Sequence, residues 1–282
     1  MNFQTIKSFA KINLSLGVTG KLKSGYHKIE SLVSFLNLYD VIKIKKIEGK
    51  KHKIIFIGKF SKGIKKINII SKLISILDKK KILNKKKYLI IVKKNIPQKA
   101  GLGGGSMNAS SIIRFFIYKK ILNFKKKNII KLAKQIGSDV ELGLDYKNKI
   151  LYSNGKLKRI SSKERFFVVI VKPNFGCSTK EIYKGLKKYS SIKLKKGKIN
   201  YFNRLNILKL SNDLEKVVFK NYPKLIKIKF FIGSLPKILF ARMTGSGSSI
   251  VGYFPSKNSA INASKLFKKK YKNYWCITSK TI

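Results

Sequence analysis

The sequence predicts an α+β protein of two subdomains, with a boundary near residues 155–165. Three observations carry this prediction. Apolar residues recur with period two in several short stretches, which marks strands. Other stretches repeat them at three- and four-residue spacing, which marks helices. Between two apolar halves lies the polar stretch Lys147 to Glu164, read as hairpins and a linker. The domains divide accordingly into 1–158 and 159–282.

Ile12, Leu14, Leu16 and Val18 alternate with Asn13, Ser15, Gly17 and Thr19, the pattern of a half-buried strand. Lys21 to Gly25 reads as a turn, and Tyr26 opens a second extended stretch. Val41 to Ile47 and Lys53 to Ile57 read as further strands. Ile67 to Lys81 places Ile69, Ile70, Leu73, Ile74 and Leu77 on one helical face. Tyr88 to Val92 is a short apolar strand, and helix propensity rises from Met107 to Leu122. A second helix over about Asn128 to Ile136 ends at Gly137, a C-cap residue. Phe166 to Val171 is an apolar strand closed by Pro173. Beyond it, helices near Thr179–Lys188, Asn212–Lys220 and Lys257–Lys270 alternate with strands near Leu239–Met243, Ser249–Phe254 and Tyr274–Ser279.

Lys and Arg number 65 against 11 Asp and Glu, a formal net charge of +54. Such a charge fits a binder of nucleic acid or of an anionic membrane. Yet only Arg114, Arg159, Arg165, Arg204 and Arg242 are arginines, and the lysines run the whole length of the chain. Base readers lean on the Arg fork. Abundant Lys, Ile, Asn, Phe and Tyr are the residues of AT-rich codons, so drift in composition accounts for the charge better. Cys177 and Cys276 lack CxxC partners, which suits a reduced, cytoplasmic setting. Met1 to Phe9 shows no apolar signal core, and no run approaches the ~20 apolar residues of a membrane span.

Chemistry concentrates in a few segments. Pro97-Gln-Lys-Ala-Gly-Leu-Gly-Gly-Gly-Ser-Met-Asn108 crowds Gly101, Gly103, Gly104 and Gly105 between an apolar strand and a helix. Glycine lets backbone approach a ligand, and the N–H groups of the helix start bind anions. Ser106 adds a hydroxyl for a phosphate or its Mg²⁺. The Gly-Lys-Ser/Thr ending of a Walker loop is absent. Met243-Thr-Gly-Ser-Gly247 is a second small-residue loop, alone no more than a turn. Phosphoryl transfer to an alcohol calls for a carboxylate. Asp139 is one candidate and Glu141 the other, since in an extended segment the two share a face. A loop Asp is also a common turn former. Lys11 and Asn13 share one face of their strand, either pointing inward or lying on an exposed edge. His27, in Gly25-Tyr-His27, is either structural or functional, and His52 inside Lys-Lys-His-Lys reads as solvated.

Taken together and in this order, Ser8-Phe-Ala-Lys-Ile-Asn-Leu14, the Pro97 loop and Met243-Thr-Gly-Ser-Gly247 resemble the three motifs of the GHMP kinase superfamily. Lys23-Ser-Gly-Tyr-His27, with Ile29-Glu-Ser-Leu-Val33 after it, is similar to the branch whose substrate is a cytidine-diphosphate-linked methylerythritol. Ile136-Gly-Ser-Asp-Val140 and Asn212-Asp-Leu-Glu215 also fit. The resemblance runs from about residue 6 to the last strand.

It implies a two-domain fold, ribosomal protein S5 domain 2-like in its first half, with ATP and substrate in the cleft between domains. It implies ATP-dependent phosphorylation of the 2-hydroxyl of 4-diphosphocytidyl-2-C-methyl-D-erythritol in non-mevalonate isoprenoid biosynthesis. By the same resemblance Asp139 is the base, with Lys11 beside it. Asn68, Lys94, Pro97, Gly101, Leu102, Gly103, Gly104, Gly105, Ser106 and Asn108 meet ATP. Asn13, Tyr26, His27, Thr179, Tyr183, Thr244, Gly245, Ser246 and Gly247 meet the substrate, with His27 on the cytosine edge and Tyr26 and Tyr183 on its ring. By the same resemblance Mg²⁺ accompanies ATP near Ser106, with no dedicated metal residue assigned. The expected partner is the small molecule alone, with no specific nucleic acid and no membrane, in a monomer or homodimer. Met107 departs from the usual Ser or Thr of the loop, and Glu141 from a usual Pro, adding like charge near Asp139. A homoserine- or mevalonate-type GHMP kinase is the alternative, and an inactive basic nucleic-acid binder a more distant one.

Overall fold

The computed structural model describes residues 2–23, 25–195, 197 and 200–282. Ser24 of the Lys23–His27 segment, and part of the lysine-rich patch at 193–198, lie outside the described residues. Two compact units interleave along the chain. One comprises the segment ending at Lys11 with Leu38–Gln98 and Gly103–Tyr146; the other comprises Ile12–Asn37, Lys99–Leu102 and Lys147–Ile282. A single cut at 158 follows chain order, whereas these units do not. The long strands β1 (Gln4–Lys21) and β2 (His27–Ile47) each contribute one part to each unit.

In the first unit, β4 (Lys87–Lys93) pairs antiparallel with the Val41–Ile47 end of β2 and parallel with β3 (Lys53–Ile57). The parallel pair needs a crossover, and α1 (Ile69–Lys79) supplies it. Asn68 caps α1, its Oδ1 accepting the N–H groups of Ile70 and Ser71. α2 (Gly104–Tyr118) and α3 (Lys126–Ile136) complete the layer. Their apolar faces bury Leu73, Leu77, Ile112, Phe116 and Leu132 against Ile42, Ile90 and Val92.

In the second unit, β5 (Asn148–Leu151) joins β2 at Ser31–Val33 and turns back through a hairpin to β6 (Leu157–Ile160). A separate antiparallel sheet runs in the order β10 (Trp275–Lys280), β7 (Phe167–Lys172), β9 (Ile250–Phe254), β8 (Phe240–Met243). The helices are α4 (Thr179–Lys184), α5 (Arg204–Leu208), α6 (Leu214–Asn221), α7 (Pro223–Gly233) and α8 (Lys257–Lys270). Val169, Val171, Ile250 and Phe254 meet Leu225, Ile232, Ala263 and Phe267 in one core. Among the described residues no helix is long and apolar enough to cross a membrane.

Several expectations need correction. β1 is not half-buried: Asn13 and Ser15 are as inaccessible as their apolar neighbours. Val41–Ile47 is the end of β2, not a separate strand. The helix near Thr179 stops at Lys184. Gly137 caps α3 in an extended conformation, without a left-handed turn. His52 is not solvated; its side chain is 9% exposed. Its Nε2 donates to Asp78 Oδ2 at 3.0 Å and its Nδ1 accepts the Tyr88 N–H at 3.1 Å, so two hydrogen bonds, which the lysines around it in sequence do not reveal, hold the ring in place.

Candidate active site

Lys11 and Asp139 come together. Lys11 Nζ lies 3.4 Å from Asp139 Oδ2, with the lysine side chain 6% exposed and the aspartate 32%. A lysine this buried needs an opposite charge, which removes the edge-strand alternative. Asp139 rides on a tight turn, where Val140 N–H donates to Gly137 O and Leu142 N–H to Asp139 O. The Ser110 hydroxyl of α2 donates to Val140 O at 2.5 Å. Gly143 lets the turn lie close on α2, since a Cβ there would sit 2.7 Å from Ser110 Oγ and 2.8 Å from Met107 Sδ. Met107 therefore faces the interior, wholly buried. Glu141 opens a 3-10 helix, Glu141–Leu144, and its carboxylate meets Lys134 at 3.4 Å. The expectation of an extended segment that places Glu141 on the face of Asp139 does not hold.

The glycine-rich loop ends in α2, which starts inside the glycine run. Gly103 is its N-cap at φ +67°. A Cβ at Gly103 would stand 2.7 Å from Lys11 Cγ, so the glycine lets the loop cross the lysine stem. Met107 N–H makes the first helical bond, to Gly103 O. The N–H groups of Gly104, Gly105 and Ser106 have no helical acceptor, and no side chain or acidic residue caps this end. Unpaired N–H groups at a helix start are the arrangement that favours an anion. Leu102 is core, leaving only its backbone to a ligand. The amide of Asn68 is spent on capping and on Lys65 O and Lys66 O. Lys94 is buried in an ion pair with Asp40.

In the second unit the loop Thr244–Gly247 packs backbone to backbone on Gly101. Gly101 sits at φ +73°, where a Cβ would meet Thr244 O at 2.0 Å; one on Gly247 would meet Gly101 N at 2.0 Å. Thr244 Oγ1 accepts the Asn13 N–H at 3.0 Å and donates to Gly101 O at 3.2 Å, so this hydroxyl serves the scaffold. Asn212 Nδ2 donates to Met243 O and Gly245 O, and Glu215 Oε1 accepts the Met243 N–H. Arg242 donates to Leu14 O and Ile207 O. Asn13 Nδ2 donates to Ser31 Oγ at 2.8 Å, and Ser246 and Thr179 hydroxyls lie 2.8 Å apart.

His27 and Tyr183 rings lie 4.8 Å apart at 31°, with Tyr189 6.2 Å from His27 on a further side. Tyr26 is 73% exposed. Burial, and then the charge of Lys21, lowers the His27 pKa, so its imidazole is neutral at pH 7. Just before Thr179, buried Cys177 has its thiol pushed up to about 11 by burial, against a smaller opposing pull from Lys172. The folded protein thus prefers the thiol. That preference is whole below the ordinary value of 9.0 and is lost as pH rises through about 11. A thiol reagent should label Cys177 far more slowly in the native than in the denatured chain at pH 8. The native rate should climb about tenfold per pH unit above that, because the thiolate is the nucleophile.

The family described as GHMP kinases N terminal domain matches residues 68–145, and GHMP kinases C terminal matches 193–273. A 4-diphosphocytidyl-2-C-methyl-D-erythritol kinase of Pelagibacter ubique is 53% identical over 282 residues, covering all of both chains. One from Clostridium kluyveri is 36% identical over 275 residues, covering 95% of this chain and 96% of the relative. The chain belongs to the 4-diphosphocytidyl-2-C-methyl-D-erythritol kinase family. It is an ATP-dependent small-molecule kinase with the GHMP N- and C-terminal domains. A crystal structure of 4-(cytidine 5'-diphospho)-2C-methyl-D-erythritol kinase has the same fold, with a TM-score of 0.78 at 22% identity, covering 98% of this chain and 99% of that one.

Sequence reading of this kinase missed Asp40 and found no role for Glu215 of the Asn212–Glu215 segment or for Arg242, the buried polar residues that hold its loops. Asp40 and Glu215 were detectable as members of a very small acidic set in a chain of 65 basic residues. Arg242 was detectable as one of few arginines beside a glycine loop.

Proposed function

We propose that this kinase transfers the γ-phosphoryl group of ATP to the 2-hydroxyl of 4-diphosphocytidyl-2-C-methyl-D-erythritol, in non-mevalonate isoprenoid precursor synthesis, as a cytoplasmic monomer or homodimer. The relatives' names supply the substrate. The chemistry rests on one observation, the partly exposed Asp139 carboxylate held 3.4 Å from the buried Lys11 ammonium. Asp139 takes the proton of the 2-hydroxyl as that oxygen bonds to the γ-phosphorus and the bond to ADP breaks. Lys11 holds Asp139 in place and offsets negative charge on the transferring group. The phosphates rest on the N–H groups of Gly104 to Ser106.

No group of three or more His, Cys, Asp or Glu is gathered among the described residues. Such a surface suits Mg²⁺ that travels with the nucleotide, held by phosphates and one or two protein oxygens. Ser106 is the residue that would hold it, and the ion would neutralise phosphate charge.

His27 reads the cytosine edge by accepting a hydrogen bond at its unprotonated ring nitrogen, which only the neutral ring offers. KM for the cytidine substrate should stay flat above pH 7 and rise as pH falls through the lowered His27 pKa, since the imidazolium loses its acceptor. His27→Ala should raise that KM by about five- to tenfold, the worth of one hydrogen bond, and leave KM for ATP unchanged; steady-state kinetics across pH checks both.

Incubation with ATP, Mg²⁺ and the cytidine substrate tests the reading. Phosphorus NMR should show ADP and a 2-phosphorylated product. No product, while homoserine or mevalonate is phosphorylated instead, would overturn the assigned substrate.

A further inference from the structure

One buried carboxylate ties together both ends of the glycine-rich loop. Asp40, in β2, is wholly inaccessible. Its Oδ1 accepts the backbone N–H groups of Asn95 at 2.7 Å and Ile96 at 2.9 Å. Its Oδ2 accepts the Lys94 ammonium, and the Asn108 side-chain amide at 3.0 Å. Asn95 Nδ2 reaches back to Tyr39 O at 2.9 Å. Three of the four donors come just before the loop, and the fourth stands in the second turn of α2. Residues 97–107 are therefore held at either end by a single side chain.

The site demands a carboxylate. Four donors converge, one of them a cation, and an amide offers a single acceptor oxygen. A neutral residue here would orphan a buried ammonium. That ammonium lies against the helix start, since a Cβ on Gly104 would be 3.3 Å from Lys94 Nζ. Every donor to Asp40 belongs to a flank of the loop, so the clamp bears on the loop's geometry as much as on the core.

We infer that Asp40 is the positioning residue of the nucleotide loop. It sets the spacing between the end of β4 and the start of α2, and with it the aim of the N–H groups of Gly104 to Ser106. It touches no substrate and acts through Lys94, Asn95, Ile96 and Asn108. The inference rests on the reading that ATP phosphates bind this loop.

The test compares Asp40→Asn, Asp40→Glu and the loop variant Gly103→Ala in the full chain, by KM for ATP, KM for the alcohol substrate and thermal unfolding. Asp40→Asn leaves donors unpaired and should raise KM for ATP about tenfold or more, with KM for the alcohol within about twofold. Asp40→Glu keeps the charge on Lys94, so it folds; displaced by one methylene, it should raise KM for ATP by a smaller factor with the same selectivity. If a folded Asp40→Glu protein keeps KM for ATP within about twofold of wild type, or both KM values rise together, the inference is overturned. If Gly103→Ala raises KM for ATP and the Asp40 variants do not, the loop reading stands and the inference falls. If none of the three changes it, the loop reading itself fails.

Discussion

Asp139→Asn should lower kcat by ~10² or more while KM for ATP stays near its wild-type value. The substitution keeps the size of the side chain and its place on the Gly137–Leu142 turn, whose bonds run through backbone atoms. It removes the proton acceptor and the negative charge 3.4 Å from the Lys11 ammonium, whose side chain is 6% exposed. Two effects then separate. Loss of the base strikes kcat alone. Losing this ion pair costs stability, less than the ~3–5 kcal/mol of breaking a fully buried pair because Asp139 is about one-third exposed. Calorimetry reads the second effect and single-turnover kinetics the first. Full turnover in a folded variant would remove Asp139 from the mechanism. Lys11→Met should also lose turnover, but it leaves a carboxylate that can still reach water, so its stability loss should be the smaller of the two.

The readable parts of this chain were those governed by local pattern. Alternation marked β1, and helical spacing marked α1 and α8. The strand–glycine–helix order marked the loop between β4 and α2. Pattern failed where a distant partner decides. Lys11 read equally as an edge residue or an inward one, and only Asp139, far along the chain, resolves it. Nothing local marks Asp40, between the extended stretch that opens at Tyr26 and the strand Val41–Ile47, as a core residue; it is buried because Lys94 to Ile96 and Asn108 supply its donors. α7 was missed because Ile226 to Phe230 alternates lysine with apolar residues, as a strand does; Pro223 at its first turn was the available signal. Asn68 has a structural role that the resemblance did not imply, since its amide oxygen caps α1.

Gly247→Ala should cost about 10² in kcat/KM, the penalty of misplacing a catalytic frame by roughly 1 Å. The added Cβ would stand 2.0 Å from Gly101 N, 2.3 Å from Ala100 C and 2.5 Å from Gly101 Cα. All three are backbone atoms, so no side chain can turn aside. The loops must part by about an ångström to reach ordinary contact, and overpacking of this kind typically costs ~1–3 kcal/mol. The parting cannot stay local. Thr244 joins the Asn13 N–H to Gly101 O, and Asn212 and Glu215 fix the far side of the same loop. Gly101 is also two residues from Gly103, whose conformation sets the start of α2. Gly155→Ala makes the comparison informative. Gly155 has φ +77°, in the β5–β6 turn, with nothing within 4 Å of a new Cβ. It should lose ~1–2 kcal/mol to left-handed strain and no activity. Equal stability losses with unequal kcat/KM would show that Gly247 is required for close approach of two loops; matched activities would mean that the Gly101–Thr244 contact has slack the geometry does not suggest.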